Sequence, residues 1–77
     1  MITYLERIIT DHKIMLGKPV IKGTRITVEL ILKKLSQGAT QQEVTKMYPE
    51  LNLEDVNAAL AFALLNLKGE DSFGFAA

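Results

Sequence analysis

Three helices are predicted within residues 28–69, which read VELILKKLSQGATQQEVTKMYPELNLEDVNAALAFALLNLKG. In the first, apolar residues recur at helical spacing from Val28 to Leu35. Thr27 is suited to be its N-cap, and Gly38 is a C-terminal stop signal. We therefore expect the first helix to begin directly after Thr27 and to end before Gly38.

The second and third helices have clear start signals. Thr40 and Glu43 have the spacing of a capping box, and Pro49 ends the short second helix. Asn52 is a suitable N-cap for the third helix, because its side-chain oxygen can accept a bond from the first turn. Gly69 is its stop signal, so the third helix is the longest of the three.

The third helix has apolar residues on two faces at helical spacing. One face consists of Leu53, Val56, Leu60, Ala63, Leu64 and Leu67. The second consists of Ala58, Ala61, Phe62 and Leu65. The chain itself could enclose both faces, but it offers little material to do so, and we expect a second chain to cover the second face.

The N-terminal part has the character of strands and turns. Short β-branched segments at residues 8–10, 13–15, 19–21 and 25–28 alternate with Gly- and Pro-containing turns. The predicted fold class is therefore mainly α, a three-helix bundle with a short N-terminal β-strand region. We expect one small domain over residues 1–69 and a flexible C-terminal tail over residues 70–77.

The size of the chain excludes a large catalytic fold. It has 77 residues with no cysteine, and a chain this short buries only roughly 60% of its unfolded surface. We therefore expect a homodimer or an obligate partner. The N-terminus lacks the pattern of a signal peptide, and no apolar stretch reaches the ~20 residues of a membrane span. These features predict a cytoplasmic protein without membrane contact.

Catalytic and metal-binding patterns are missing from the sequence. His12 is the single histidine and follows Asp11 in a predicted turn, where a solvated side chain is a more ordinary interpretation than a general base. Glu54 and Asp55 alone do not make a metal site. We expect no enzyme activity, no cofactor, no metal and no small-molecule substrate.

The charges of the chain are divided unevenly along it. Residues 1–46 have eight basic and four acidic side chains, whereas residues 47–77 have one basic and five acidic. If nucleic acid binds, the basic half is expected to contact it. The spacing of the helices is also typical of three-helix DNA-binding domains.

Several polar side chains are candidates for DNA contact through phosphates or base edges. They are Lys33, Lys34, Gln41, Gln42, Lys46, Asn52 and Asn57. A solvated helix surface is the alternative interpretation for the residues of the second helix. The acidic start of the third helix, with Glu54 and Asp55, disfavours an approach of phosphates there.

One segment resembles a known family. Residues 17–28 read GKPVIKGTRITV, and the chain resembles the bacterial and archaeal domain of unknown function 433 family, in which GKPxIxGTRIxV precedes a helix. Residues 48–51 (YPEL) and 54–60 (EDVNAAL) match the pattern of that family in order and spacing. The resemblance implies a homeodomain-like three-helix fold and an antitoxin role beside a nuclease toxin with a PIN-like fold.

Within the matching segment, Gly17 and Gly23 are suited to turns with positive φ. Arg25 is expected to fix the hairpin by binding a carboxylate or a carbonyl, with phosphate binding as the alternative.

Two functional hypotheses follow from these observations. The first is an antitoxin of a type II toxin–antitoxin pair that binds its toxin, with binding to its own operator DNA as a second expected activity. Phe73 and Phe75 would then anchor an inhibitory tail, with a frayed end as the alternative. The second hypothesis is a dimeric protein-interaction module that does not bind DNA.

Overall fold

Two short strands precede three helices in the computed structural model, which describes residues 4–68. The strands are β1 (Ile8–Ile9) and β2 (Val20–Ile21), and the helices are α1 (Val28–Ser36), α2 (Gln41–Met47) and α3 (Leu53–Lys68). Single 3-10 turns span Tyr4–Arg7 and Met15–Gly17. The predicted fold, a mainly helical small domain with an N-terminal strand region, is confirmed.

The two strands form an antiparallel hairpin. Ile8 lies opposite Ile21, and Ile9 lies opposite Val20. The predicted strand at residues 25–28 is reduced to one isolated bridge between Thr27 and Val20. It stops there because the chain turns into α1 at the next residue.

The predicted strand at residues 13–15 is also missing. Ile14 forms one isolated bridge with Asp11, and the chain then enters the 3-10 turn. Met15 and Leu16 have positive φ values of 50° and 60°, and Gly17 follows at 84°. Three successive left-handed residues cannot continue a strand, so β-branched composition misled the prediction here.

The starts of α1 and α2 follow their predicted capping signals. The Thr27 hydroxyl oxygen accepts a bond from the Leu30 N–H at 3.0 Å. Thr40 and Glu43 form the reciprocal capping box, with distances of 3.0 Å and 2.8 Å. These local hydrogen bonds satisfy backbone groups that a helix start leaves unpaired.

The start of α3 is stabilised by a local cap and by a contact with Arg7. Asn52 accepts a bond from the Asp55 N–H at 2.9 Å, and the Asp55 carboxylate accepts one from the Asn52 N–H at 3.0 Å. Arg7 then binds Asp55 and Glu54, each at 3.0 Å. The segment that precedes β1 is thereby attached to the first turn of α3.

The core lies between the three helices and the hairpin. Its largest fully buried side chains are Val20, Ile31, Val44 and Val56, which come from β2, α1, α2 and α3. Ile31, Val44 and Val56 belong to one buried cluster, to which β2 contributes Ile21, and this burial supplies the main stabilisation. No helix within residues 4–68 is long and apolar enough to cross a membrane.

Candidate interaction surfaces

The most prominent surface feature is a row of four exposed leucines along α3, which we name the leucine face. It consists of Leu53, Leu60, Leu64 and Leu67. The exposed fractions run from 37% at Leu60 to 57% at Leu64. Scattered exposed leucines are ordinary, but a row at helical spacing on one element is typical of a contact surface.

The prediction of which face of α3 is left uncovered is wrong for several residues. Ala58 was predicted to face a second chain, yet it is fully buried, so that part of the prediction is wrong. Phe62 is half-buried and packs against the core, and Ala61 is also half-buried. Leu65 is exposed and available for contact. Small alanines allow α3 to approach the core closely, which leaves the bulkier leucines outside.

An apolar groove of about 440 Å³ lies between α1 and α3. Its apolar lining comes from Pro19, Val28, Leu32, Phe62, Ala63 and Leu67. Glu29 and Asn66 add polar groups at its boundary. This combination of an apolar floor and a polar rim resembles the centre of a protein interface. It lacks the converging polar groups that orient a small substrate.

The lysines predicted to contact DNA face different surroundings. Lys33 lies beside Lys18 and Glu29, which form an ion pair at 3.1 Å. Lys34 lies beside Glu43 at the start of α2 and Met47 at its end. An acidic side chain thus lies near each lysine, and it would weaken the attraction of each for phosphates.

The remaining DNA candidates are spread over two helices. Gln42 and Lys46 are exposed on α2, whereas Gln41 is half-buried. The Asn52 side-chain oxygen is engaged in the α3 cap. Asn57 is half-buried and lies along α3 between Leu53 and Leu60. The seven candidates therefore lie on or beside all three helices, and DNA contact through them stays a prediction.

The turn at residues 21–26 is tightly built and presents Arg25 to solvent. The Thr24 hydroxyl donates to the Ile21 carbonyl at 2.8 Å and accepts from the Ile26 N–H at 3.0 Å. Gly23 has a φ of 84°, as predicted for this position. Arg25 forms no hydrogen bond or ion pair with the side chains described, those of residues 6–68, so the expected structural contact of Arg25 is not found there. Thr24, rather than Arg25, holds the turn.

The Arg25 side chain lines an open depression of about 590 Å³. Ile14, Ile26 and Leu30 supply its apolar part, and Glu50 lies on its border. An exposed guanidinium beside aliphatic side chains is suited to bind a carboxylate or a phosphate of a partner.

Catalytic groups do not come together in the part of the chain that the structure describes. His12 is exposed in its turn, and the Asp11 carboxylate accepts a bond from the Lys13 N–H at 2.9 Å. Residues 4–68 contain no group of three or more metal-ligating side chains. The neighbourhood of His12 is therefore that of a solvated turn.

Two features of these surfaces had no signal in our sequence interpretation. The Arg7 contact with Asp55 joins residues 48 positions apart, and a sequence shows no such partner. Leu16 is 92% exposed at the tip of the left-handed turn. Phe73 and Phe75, predicted to contact a partner, lie outside the described residues.

Comparison with known proteins places the chain in a family. A crystal structure of a DUF433 member protein from Anabaena variabilis is similar, with a TM-score of 0.75 and 30% sequence identity. The match covers 86% of this chain and 65% of that one. An uncharacterized protein of Archaeoglobus fulgidus is 64% identical over 25 residues, which are 32% of this chain and 69% of the relative. The model of the family described as protein of unknown function DUF433 matches residues 8–63. The chain therefore belongs to the DUF433 family.

Proposed function

We propose that this chain acts by binding another protein, as the antitoxin of a type II toxin–antitoxin pair whose toxin is a nuclease with a PIN-like fold. The observation that supports protein binding is the exposed apolar surface of α3, which consists of the leucine face and the adjoining groove, with Leu67 common to both. The antitoxin role rests on the family resemblance, because genes for proteins that resemble this chain often lie beside genes for such nucleases.

The groove between α1 and α3 is the proposed site for the toxin. Phe62 and Leu32 line it and are partly buried against the core, so they offer a rigid apolar floor. Glu29 and Asn66 give its border polar groups that can pair with a partner. Apolar anchors surrounded by polar groups give most of the affinity in protein interfaces.

Residues 70–77 are proposed to add a second contact with the toxin. Their two aromatic side chains, Phe73 and Phe75, can anchor in pockets of a partner, and a polar peptide can become ordered on binding. Deletion of residues 70–77 is expected to abolish toxin binding while the domain keeps its fold. Unchanged affinity would exclude a role for the tail.

Operator binding stays a separate prediction. Titration of the upstream DNA at low and raised salt tests it, because phosphate contacts weaken steeply as salt increases. If the lysines contribute, replacing Lys33 and Lys34 by Glu abolishes the complex. The absence of any complex at low salt would favour a protein-interaction module that does not bind DNA.

The proposal is tested by affinity purification of the tagged full chain from its native host, followed by mass spectrometry. We expect a small nuclease in stoichiometric amount. Asn66→Arg should remove it, because a long charged side chain at the groove obstructs apolar contact. Gln42→Arg adds the same charge on α2, away from the groove, and should retain the nuclease.

Two outcomes contradict the proposal in different ways. Purification without any nuclease would reject the antitoxin role. A nuclease that is retained equally by the Asn66→Arg variant would keep the role but reject the groove as its site.

A further inference from the structure

We infer that the leucine face of α3 binds the same face of a second copy of this chain, with the two helices antiparallel. The inference goes beyond the proposed antitoxin role, because self-pairing requires no toxin. It rests on the spacing of the exposed residues, the charges at the two ends of α3, and the small side chains at its middle.

The spacing along the leucine face is that of a coiled-coil seam. Leu53, Leu60 and Leu67 are seven residues apart, and Asn57 and Leu64 alternate with them at intervals of four and three. Such a repeat keeps one stripe of side chains directed at a partner helix. The four leucines are exposed in the single chain, so the seam is uncovered there.

The charges that flank the seam favour the antiparallel orientation. Glu54 and Lys68 lie on the same flank of the seam at opposite ends of α3. In an antiparallel pair, this flank meets its own copy reversed, so that Glu54 of each helix lies beside Lys68 of the other. Two ion pairs form for each dimer. Glu54 is 56% exposed at its side chain and binds Arg7 through one oxygen, which leaves the second oxygen for the lysine.

A parallel pair offers no such match. There Lys68 would lie beside the partner's Ala63, and the acidic first turns of both helices would adjoin. Their helix dipoles would also point in the same direction. The charges therefore distinguish the two orientations.

Small residues lie where the antiparallel pair has its two-fold axis. Ala61 and Ala63 flank the seam at its middle, between the Glu54 and Lys68 contacts. Alanines at these positions allow the helix axes to approach to about 8 Å, the close end of the usual range. The seam thus has leucines along its length and alanines beside its centre.

The expected affinity is modest. α3 has 16 residues and is therefore about 24 Å long, which accommodates only two heptads. An interface of this length is smaller than the ~800 Å² per partner of a standard complex. We expect dissociation constants of about 10 to 100 µM, so that the chain is largely monomeric at about 1 µM and largely paired at about 1 mM.

Sedimentation analysis of the full chain tests self-pairing. From about 1 µM to about 1 mM, a range that covers such affinities, the mass should rise from 8.6 kDa towards twice that value. Leu60→Lys and Leu64→Lys should each weaken the dimer at least about tenfold, because they introduce charge into the seam. Leu65→Lys makes the same change at an exposed leucine outside the seam and should leave the dimer intact. Circular dichroism checks that all variants keep their helices.

Charge exchange tests the orientation at low salt. Glu54→Lys and Lys68→Glu each replace two attractive contacts by two repulsive ones, so each should weaken its homodimer about tenfold. An equimolar mixture of the two variants should recover the original affinity, because both contacts are attractive again in the mixed antiparallel dimer. A mixture that dimerises as weakly as each variant alone would overturn the antiparallel arrangement.

Other outcomes overturn the inference altogether. These are a monomer at every concentration, or a dimer that Leu65→Lys disrupts and Leu64→Lys does not. Neither result bears on the antitoxin role, which the affinity purification decides.

Discussion

At its N-terminal end α3 is held by the Asn52 cap and by the guanidinium of Arg7, whereas towards its C-terminal end it exposes Leu64 and Leu67 to solvent. The first end has its carboxylate Asp55 buried and hydrogen-bonded. The second end has apolar surface without cover in the single chain. One helix therefore combines a region that stabilises the domain with a region suited to binding, and substitutions should separate the two.

The largest effect is expected from Asp55→Ala at the anchored end. The substitution removes the Arg7 contact and one half of the α3 cap, and should lower the free energy of unfolding by about 3 kcal/mol. Urea denaturation at about 1 µM protein measures it, a concentration at which the proposed dimer is dissociated. Glu54→Gln is the control, because that ion pair is exposed and its loss should cost less than about 1 kcal/mol. An equal loss of unfolding free energy in the two variants would show that the buried contact of Asp55 stabilises the domain no more than the exposed ion pair of Glu54.

A smaller effect is expected from Ala58→Leu on the buried side of α3. Ala58 is fully buried, and a larger side chain there should lower the free energy of unfolding by about 2 kcal/mol through overpacking. Ala61→Leu places the same side chain at a half-buried position and should cost much less. Thermal and urea unfolding compare the two. An equally stable Ala58→Leu variant would show that the buried side of α3 is looser than described.

The Asn52 cap by itself is expected to contribute less to the free energy of unfolding than the two features above. Asn52→Ala removes the side-chain bond to the Asp55 N–H and should cost about 1 kcal/mol, while Asn52→Asp keeps an acceptor and should recover most of it. Urea midpoints at constant slope measure the difference. If the two variants were equally destabilised, the side-chain acceptor would not be the cause.

The smallest effect on stability is expected on the leucine face. Leu64→Glu should change the free energy of unfolding by no more than about 0.5 kcal/mol at low protein concentration, because the side chain is largely exposed. Urea unfolding measures this, with the effect on self-association recorded on the same samples. A loss above about 2 kcal/mol would show that Leu64 supports the core instead of a contact surface.

Local signals explain which parts of the fold could be predicted from the sequence. Thr27, Thr40 and Asn52 mark the starts of the helices, because each cap involves residues only three positions apart. The positive φ of Gly17 and Gly23 also follows from residue type. These features depend on short-range chemistry, which the order of residues specifies directly.

The surfaces could be predicted only in part. Both faces of α3 are apolar at helical spacing, so periodicity alone cannot decide which one meets the core. The decision depends on Ala58 and Ala59, which fit closely against the other elements. The expected partner of Arg25 is not found among the described residues for a similar reason, since the partner of a guanidinium is set by the folded chain and not by its neighbours in sequence.

The Arg7 contact with Asp55 also has a consequence for the order of folding. It closes a loop between residues 48 positions apart, so chain entropy opposes it until the intervening helices have compacted. During synthesis the segment around Arg7 leaves the ribosome long before the start of α3. The contact between Arg7 and Asp55 must therefore wait until the start of α3 has been synthesised, whereas the hairpin of β1 and β2 can pair before that point.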